Sequence, residues 1–242
     1  MRLLLLVFLF AAFGAAAQDY GRERRWAAEV VPNLVVGDAV QLKLPSGREF
    51  LGLYVENKTA RNALLLVHGI GVHPDHSVIG VLRVALSEMG YATLSIQMPV
   101  LESNAAPDDY TAVFPEAAAR IQAGADWLAA KGFARPVLLS HSLGSRMANV
   151  YFERTADAPF AAWICMGLSG DFGRMGNVGI PVLDLYGEND LPGVSRADWR
   201  RRLKLNAVPG SAQAMIAGAD HFYVGRETQL EAAIREFLER LK

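Results

Sequence analysis

A single cysteine is all that this 242-residue chain contains. An intramolecular disulfide is therefore impossible, and a domain of this size must be held by its core rather than by covalent staples. The thiol, Cys165, lies in the apolar run Ala161-Ala162-Trp163-Ile164-Cys165-Met166 with no strand-turn-helix signal around it, so it reads as a buried strand residue and not as a nucleophile. Excess charge of one sign is also missing. A formal net charge of -1 gives no electrostatic reason to expect nucleic acid or an anionic membrane surface as partner. The longest apolar run, Leu3 to Phe13, falls short of the roughly 18 to 20 residues that a spanning helix needs. No internal repeat or low-complexity block follows residue 17.

What is present points to one well-packed α/β domain. With 52% hydrophobic and 20% charged residues the chain can bury a large core. Residues 1–17 join Arg2 to the apolar run and then to Gly14-Ala15-Ala16-Ala17, the form of a secretory signal peptide cleaved before Gln18. The expected destination is the periplasm or the medium, with no stable membrane insertion after cleavage. Residues 18–37 mix charges without periodicity and are expected to form an irregular lead-in to a domain over residues 38–242.

That domain opens with a β-hairpin, Val40 to Leu44 and Glu49 to Val55 around the turn Pro45-Ser46-Gly47. Ala63 to Val67 is a continuous apolar run of the kind buried on both faces of a sheet. Further strands are expected at Tyr91 to Ile96, Pro136 to Leu139, Phe160 to Met166, Pro181 to Tyr186 and Ala212 to Ala217. Helical patterns separate them at Val78 to Met89, Glu116 to Lys131, Arg146 to Tyr151 and Ser195 to Leu205, and an amphipathic tail runs from Glu227 to Lys242. Such alternation implies a mostly parallel, doubly wound sheet. The stretch from Met98 to Phe114 has no regular pattern and is the candidate flap over a site. The connection from Met166 to Pro181 is too short for a large cap.

The stretch Leu139-Ser140-His141-Ser142-Leu143-Gly144-Ser145 organises the rest. It joins a strand to a helix by a sharp turn with Ser142 at its apex, where small neighbours two residues away on each side let the two elements pass closely. Those neighbours are Ser140 and Gly144, and Ser140 stands where the usual pattern has glycine. A serine hydroxyl is a weak nucleophile at neutral pH, so it needs a base, and the base needs an acceptor that fixes its tautomer. Ser142, Asp190 and His221 fall at the ends of successive strands, on the edge where open α/β sheets place their sites. The amides of Leu143 and Ile70 are the candidates for an oxyanion hole. Asp171 and Asp184 are rivals of Asp190 for the acid, and His68, His73, His76 and His141 are rivals of His221. His68, His73 and His76 with Asp75 straddle Pro74 and lack the helical pair or cysteines of a metal site, so neither metal nor cofactor is called for.

The four motifs His68-Gly69-Ile70-Gly71, Ser140-His141-Ser142-Leu143-Gly144, Tyr186-Gly187-Glu188-Asn189-Asp190 and Ala219-Asp220-His221-Phe222, in that order, resemble the α/β-hydrolase superfamily over roughly residues 38 to 242. The segment from His68 to Asp75, together with Leu94 to Pro99, more closely resembles an uncharacterised group of exported bacterial proteins related to it. The resemblance implies the fold and the catalytic positions, and no substrate. The resulting expectation is an exported serine hydrolase cleaving a carboxylic ester or related acyl bond of a small substrate. A hydrolase-fold binding or envelope-assembly protein without activity, and an amidase or peptidase, stand beside it.

Overall fold

The computed structural model describes residues 18–173 and 178–241. The expected signal peptide lies outside the described residues. Helix α1, Tyr20–Val30, precedes the hairpin β1, Asp38–Lys43, and β2, Glu49–Val55. There follow β3, Ala63–Val67; α2, Ser77–Glu88; β4, Ala92–Ile96; α3, Phe114–Ala130; β5, Val137–His141; and α4, Leu143–Arg154. The chain ends with β6, Ala162–Met166; β7, Val182–Gly187; the short α5, Pro192–Ser195; α6, Asp198–Leu205; β8, Ala212–Ile216; and α7, Glu227–Arg240. Eight strands form one sheet in the order β1-β2-β4-β3-β5-β6-β7-β8 among the described residues. β2 runs antiparallel to both β1 and β4, and every later pairing is parallel.

The sheet has this form because its central strands are apolar on both faces. Successive side chains of a strand point to opposite sides, so Leu65 and Val67 of β3 enter one core, with Ile121, Leu128 and Met147 of α3 and α4. Leu64 and Leu66 enter the other, with Ile79, Leu82 and Phe237 of α2 and α7. The order of the strands reverses around β3, whose neighbours are β4 on one side and β5 on the other. The loops leaving β3 and β5 therefore diverge to opposite faces and leave a crevice at their carboxyl ends.

Three expectations change. The irregular lead-in is instead α1, with the Asp19 carboxylate accepting the Arg22 N–H at its N-terminus. Much of its docking is polar, which is why little apolar period marks it: Glu23 pairs with the fully buried Arg120, and Arg22 donates to the carbonyls of Leu101 and Gly71, while Val30 and Ala27 add a small apolar contact with Leu51 and Leu53 of β2. The basic stretch from Ser195 to Leu205 is broken into α5 and α6 near Ala197. The loop from Met98 to Phe114 is packed down rather than free, with Met98, Leu101 and Tyr110 buried and a 3-10 turn at Asp109–Val113.

Candidate active site

Ser142 sits between β5 and α4 at φ 57° and ψ -122°, a conformation that costs a non-glycine residue on the order of 1 to 3 kcal/mol. The strain is held by its surroundings: the Ser142 N–H donates to the Met166 carbonyl at 2.9 Å, and the Ser145 hydroxyl donates to the same oxygen at 2.9 Å. Gly144 is required by close approach, since a Cβ there would press on the His68 carbonyl oxygen and lie 2.9 Å from that of Val67. Ser140 is fully buried, accepts the Trp163 indole N–H at 2.8 Å and pairs with the Ser145 hydroxyl at 3.0 Å. The departure from glycine thus supplies an acceptor that the buried indole requires.

The Ser142 Oγ lies 2.8 Å from His221 Nε2, and His221 Nδ1 lies 2.6 Å from Asp190 Oδ1. These contacts fix the tautomer: Nδ1–H donates to the carboxylate, leaving Nε2 to accept from the serine. The Gly187 and Leu191 amides also donate to Asp190. Burial alone would push the Asp190 carboxyl up, but the hydrogen bonds from His221, Gly187 and Leu191 outweigh it and hold the group below the usual carboxylate range. Gly167 lets the His221 ring pack against backbone, as a Cβ there would lie 2.9 Å from Cε1.

The structure brings neither rival carboxylate to His221. Asp184 forms a wholly buried ion pair with Arg201 at 2.8 Å and accepts from Gln213, which accounts for a carboxylate inside a strand. Arg201 in turn donates to the carbonyls of Leu168, Gly170 and Val194, tying the segments that flank the Asp190 loop. Asp171 pairs with Lys204 at 3.1 Å. Two of the rival histidines are held by backbone groups. His141 Nε2–H donates to the His221 carbonyl at 2.8 Å, anchoring that residue's backbone. His68 Nδ1–H donates to the Gly69 carbonyl while Nε2 accepts the Met98 N–H, so it staples the loop after β3 to the strand end beside it. Asp75 is held by Arg83 at 2.6 Å, and among the described residues no group of three or more histidine, cysteine or acidic residues is placed to hold a metal ion.

His68 and His141 are buried, and burial pushes their pKa values down to about 3 and about 4. In the unfolded chain each would take a proton near the ordinary value of about 6.5. Between those limits the unfolded state binds protons that the native state refuses, so stability falls as pH drops. The slope is about 1.4 kcal/mol per pH unit for each histidine. Urea denaturation midpoints measured from pH 7 to 4 are expected to decline steadily, and a flat profile would contradict neutral burial of these rings.

Ile70 and Leu143 lie on either side of the serine. Leu143 is the first residue of α4, whose opening amides have no carbonyl one turn behind them. Among the described residues neither the Ile70 nor the Leu143 N–H donates to a loop or turn carbonyl. A cavity of about 290 Å³ reaches Ser142 and His221 and is walled by Ile70, Val72, Ile79, Leu191 and Phe222. No residue of the Met98 to Phe114 loop lines it, and the expected flap is replaced by the start of α2, with His76 and Ser77. A larger groove of about 610 Å³ between β1 and α3 contains no nucleophile and base pair.

The sheet order and this crevice define the α/β-hydrolase fold, and comparison with solved structures agrees. The chain is similar to the esterase Pf2001 of Pyrococcus furiosus, with a TM-score of 0.70 and 14% identity over 87% of this chain and 94% of that one. It is similar to the dienelactone hydrolase of Anabaena variabilis, with a TM-score of 0.65 and 20% identity over 84% and 96%. Est1E of Butyrivibrio proteoclasticus gives 0.63 and 16% over 84% and 98%. Residues 3–119 match a family described as a protein of unknown function, DUF3530. No curated protein matches the sequence.

Proposed function

We propose that this chain is an exported serine hydrolase that cleaves a carboxylic ester or a related acyl bond through an acyl-enzyme. The observation that carries the reading is the hydrogen-bonded relay Ser142 to His221 to Asp190, at 2.8 and 2.6 Å, built on a serine held at positive φ. Ser142 Oγ attacks the acyl carbon while His221 Nε2 takes its proton, and the carbonyl electron pair moves onto oxygen. The Leu143 and Ile70 amides would face that oxyanion. Collapse expels the alcohol, which leaves with the proton from His221, and a water molecule activated by the same imidazole then releases the acid and restores the serine.

The chemistry requires Asp190 ionised, and the depressed pKa of its carboxyl keeps it so well below neutrality. It requires neither metal nor cofactor. A site retired from catalysis would have no use for a strained serine, and Ser140, the one departure from the usual pattern, has a packing role instead. Labelling with a fluorophosphonate probe, followed by turnover of small acyl esters and the matching amides, tests the reading. A wild-type protein that neither labels nor hydrolyses any of them overturns it.

Export rests on the sequence of residues 1–17, and among the described residues no helix is long and apolar enough to cross a membrane. We read the protein as periplasmic or secreted, resembling in this the uncharacterised exported group. Intact-mass analysis of protein recovered outside the cytoplasm is expected to show a chain beginning at Gln18. Recovery there with residues 1–17 still attached would refute cleavage.

A further inference from the structure

We infer that the cavity beside Ser142 selects a compact, uncharged apolar group on one side of the scissile bond, a short acyl or alkyl chain or a single aromatic ring, and rejects acids and long lipid chains. The inference rests on the hydrolase reading for turnover, but its own content is the chemistry of the cavity wall. Its apolar wall includes Ile70 and Val72 from the loop after β3 and Ile79 from α2. Leu191 and Phe222 complete it, and they directly follow the acid and the base in the chain. Both rim residues are large and apolar yet 50% and 47% exposed, surface that folding leaves uncovered and that a bound apolar group would cover.

Charge and volume narrow the class. No lysine, arginine, aspartate or glutamate lines the cavity, and its polar groups beyond the Ser142 and His221 pair and His141 are His76 and Ser77 on the exposed side. A substrate carboxylate entering here would lose hydration without meeting a lysine or arginine. At about 290 Å³ the cavity is near twice the roughly 150 Å³ that holds one benzene molecule in an engineered protein core. It is therefore at the small end of the range of ligand sites, about 300 to 1,000 Å³. One ring with a short linker fills it. A dodecanoyl chain would extend past Leu191 and Phe222 into water.

The test uses two ester series, methyl esters of varied acids and acetates of varied alcohols, with monomethyl succinate as the charged member. In one series kcat/KM is expected to climb at least about tenfold from the smallest member to butyrate, hexanoate or a benzyl-sized ring. It should then fall by a similar factor at dodecanoate length, and monomethyl succinate should be about fiftyfold poorer than methyl butyrate or worse. Phe222→Ala and Leu191→Ala should move the optimum to longer chains. Chemical-shift titration of Ser142→Ala with the uncleaved esters reads the same preference without turnover. A flat profile, an optimum at dodecanoate, or preference for the succinate in a protein whose Ser142 still labels would overturn the pocket assignment and leave the hydrolase standing. A wild type that fails to label, while Ser142→Ala retains the preference order, would overturn the hydrolase and leave the pocket.

Discussion

Replacing Ser142 by alanine is expected to lower kcat by about a millionfold and to abolish probe labelling, while the melting temperature stays within a degree or two. The size follows from the roles assigned. Loss of the nucleophile of such a relay costs on the order of 10⁶, and what remains, roughly 10³ over water, comes from binding and the oxyanion donors. The stability half follows from the backbone. Alanine meets the same penalty at φ 57° that serine does, so nothing is gained or lost there. Ser142→Gly separates the two effects: it should be as inactive as alanine but more stable, because glycine adopts that conformation without strain. Turnover within about a hundredfold of wild type in either variant, far above that residual, would show that another group attacks the substrate.

The second large effect is expected at Asp190. Asp190→Asn keeps the shape of the side chain but presents an amide N–H or a neutral oxygen to His221 Nδ1, so the imidazole no longer holds its proton on that nitrogen. A loss of about ten-thousandfold in kcat is expected, as the wrong tautomer cannot accept from Ser142. KM for the best ester should change little. Asp171→Asn should cost little turnover, since that carboxylate pairs with Lys204 and does not touch the relay. The reverse ranking of the two, with both variants folded, would move the acid by one strand.

Much of this arrangement was readable in the residues alone because its determinants are local. Ala63 to Val67 and Val137 to Leu139 announce buried strands by composition, and strand ends announce where side chains can meet substrate. What stayed hidden depends on partners distant in the chain. α1 has only a short apolar patch, Ala27 and Val30 on β2, because a main anchor is Glu23 on Arg120, nearly a hundred residues away. The run Arg200-Arg201-Arg202 looks like a solvated helix face, and only the tertiary structure shows that Arg201 turns inward to meet Asp184. An aspartate alone in a buried strand was the available sign, and it asks for a cation without saying which. His141 and His68 looked like competitors for the base, whereas Nε2 of His141 and both ring nitrogens of His68 are committed to backbone groups that hold the loops still.

The docking of α1 has a consequence for how activity is lost. Arg22 grips the carbonyls of Gly71 and Leu101, so the loop that presents Ile70 is braced from outside by a helix that shares no ladder bond with the sheet. Peripheral segments of this kind open at lower free energy than the core. In dilute denaturant, or with the first helix trimmed by a protease, the proposed ester turnover should fall silent while circular dichroism still reports an intact sheet. Inactivation and unfolding would then trace two separate curves, with the gap between them measuring how firmly α1 is seated.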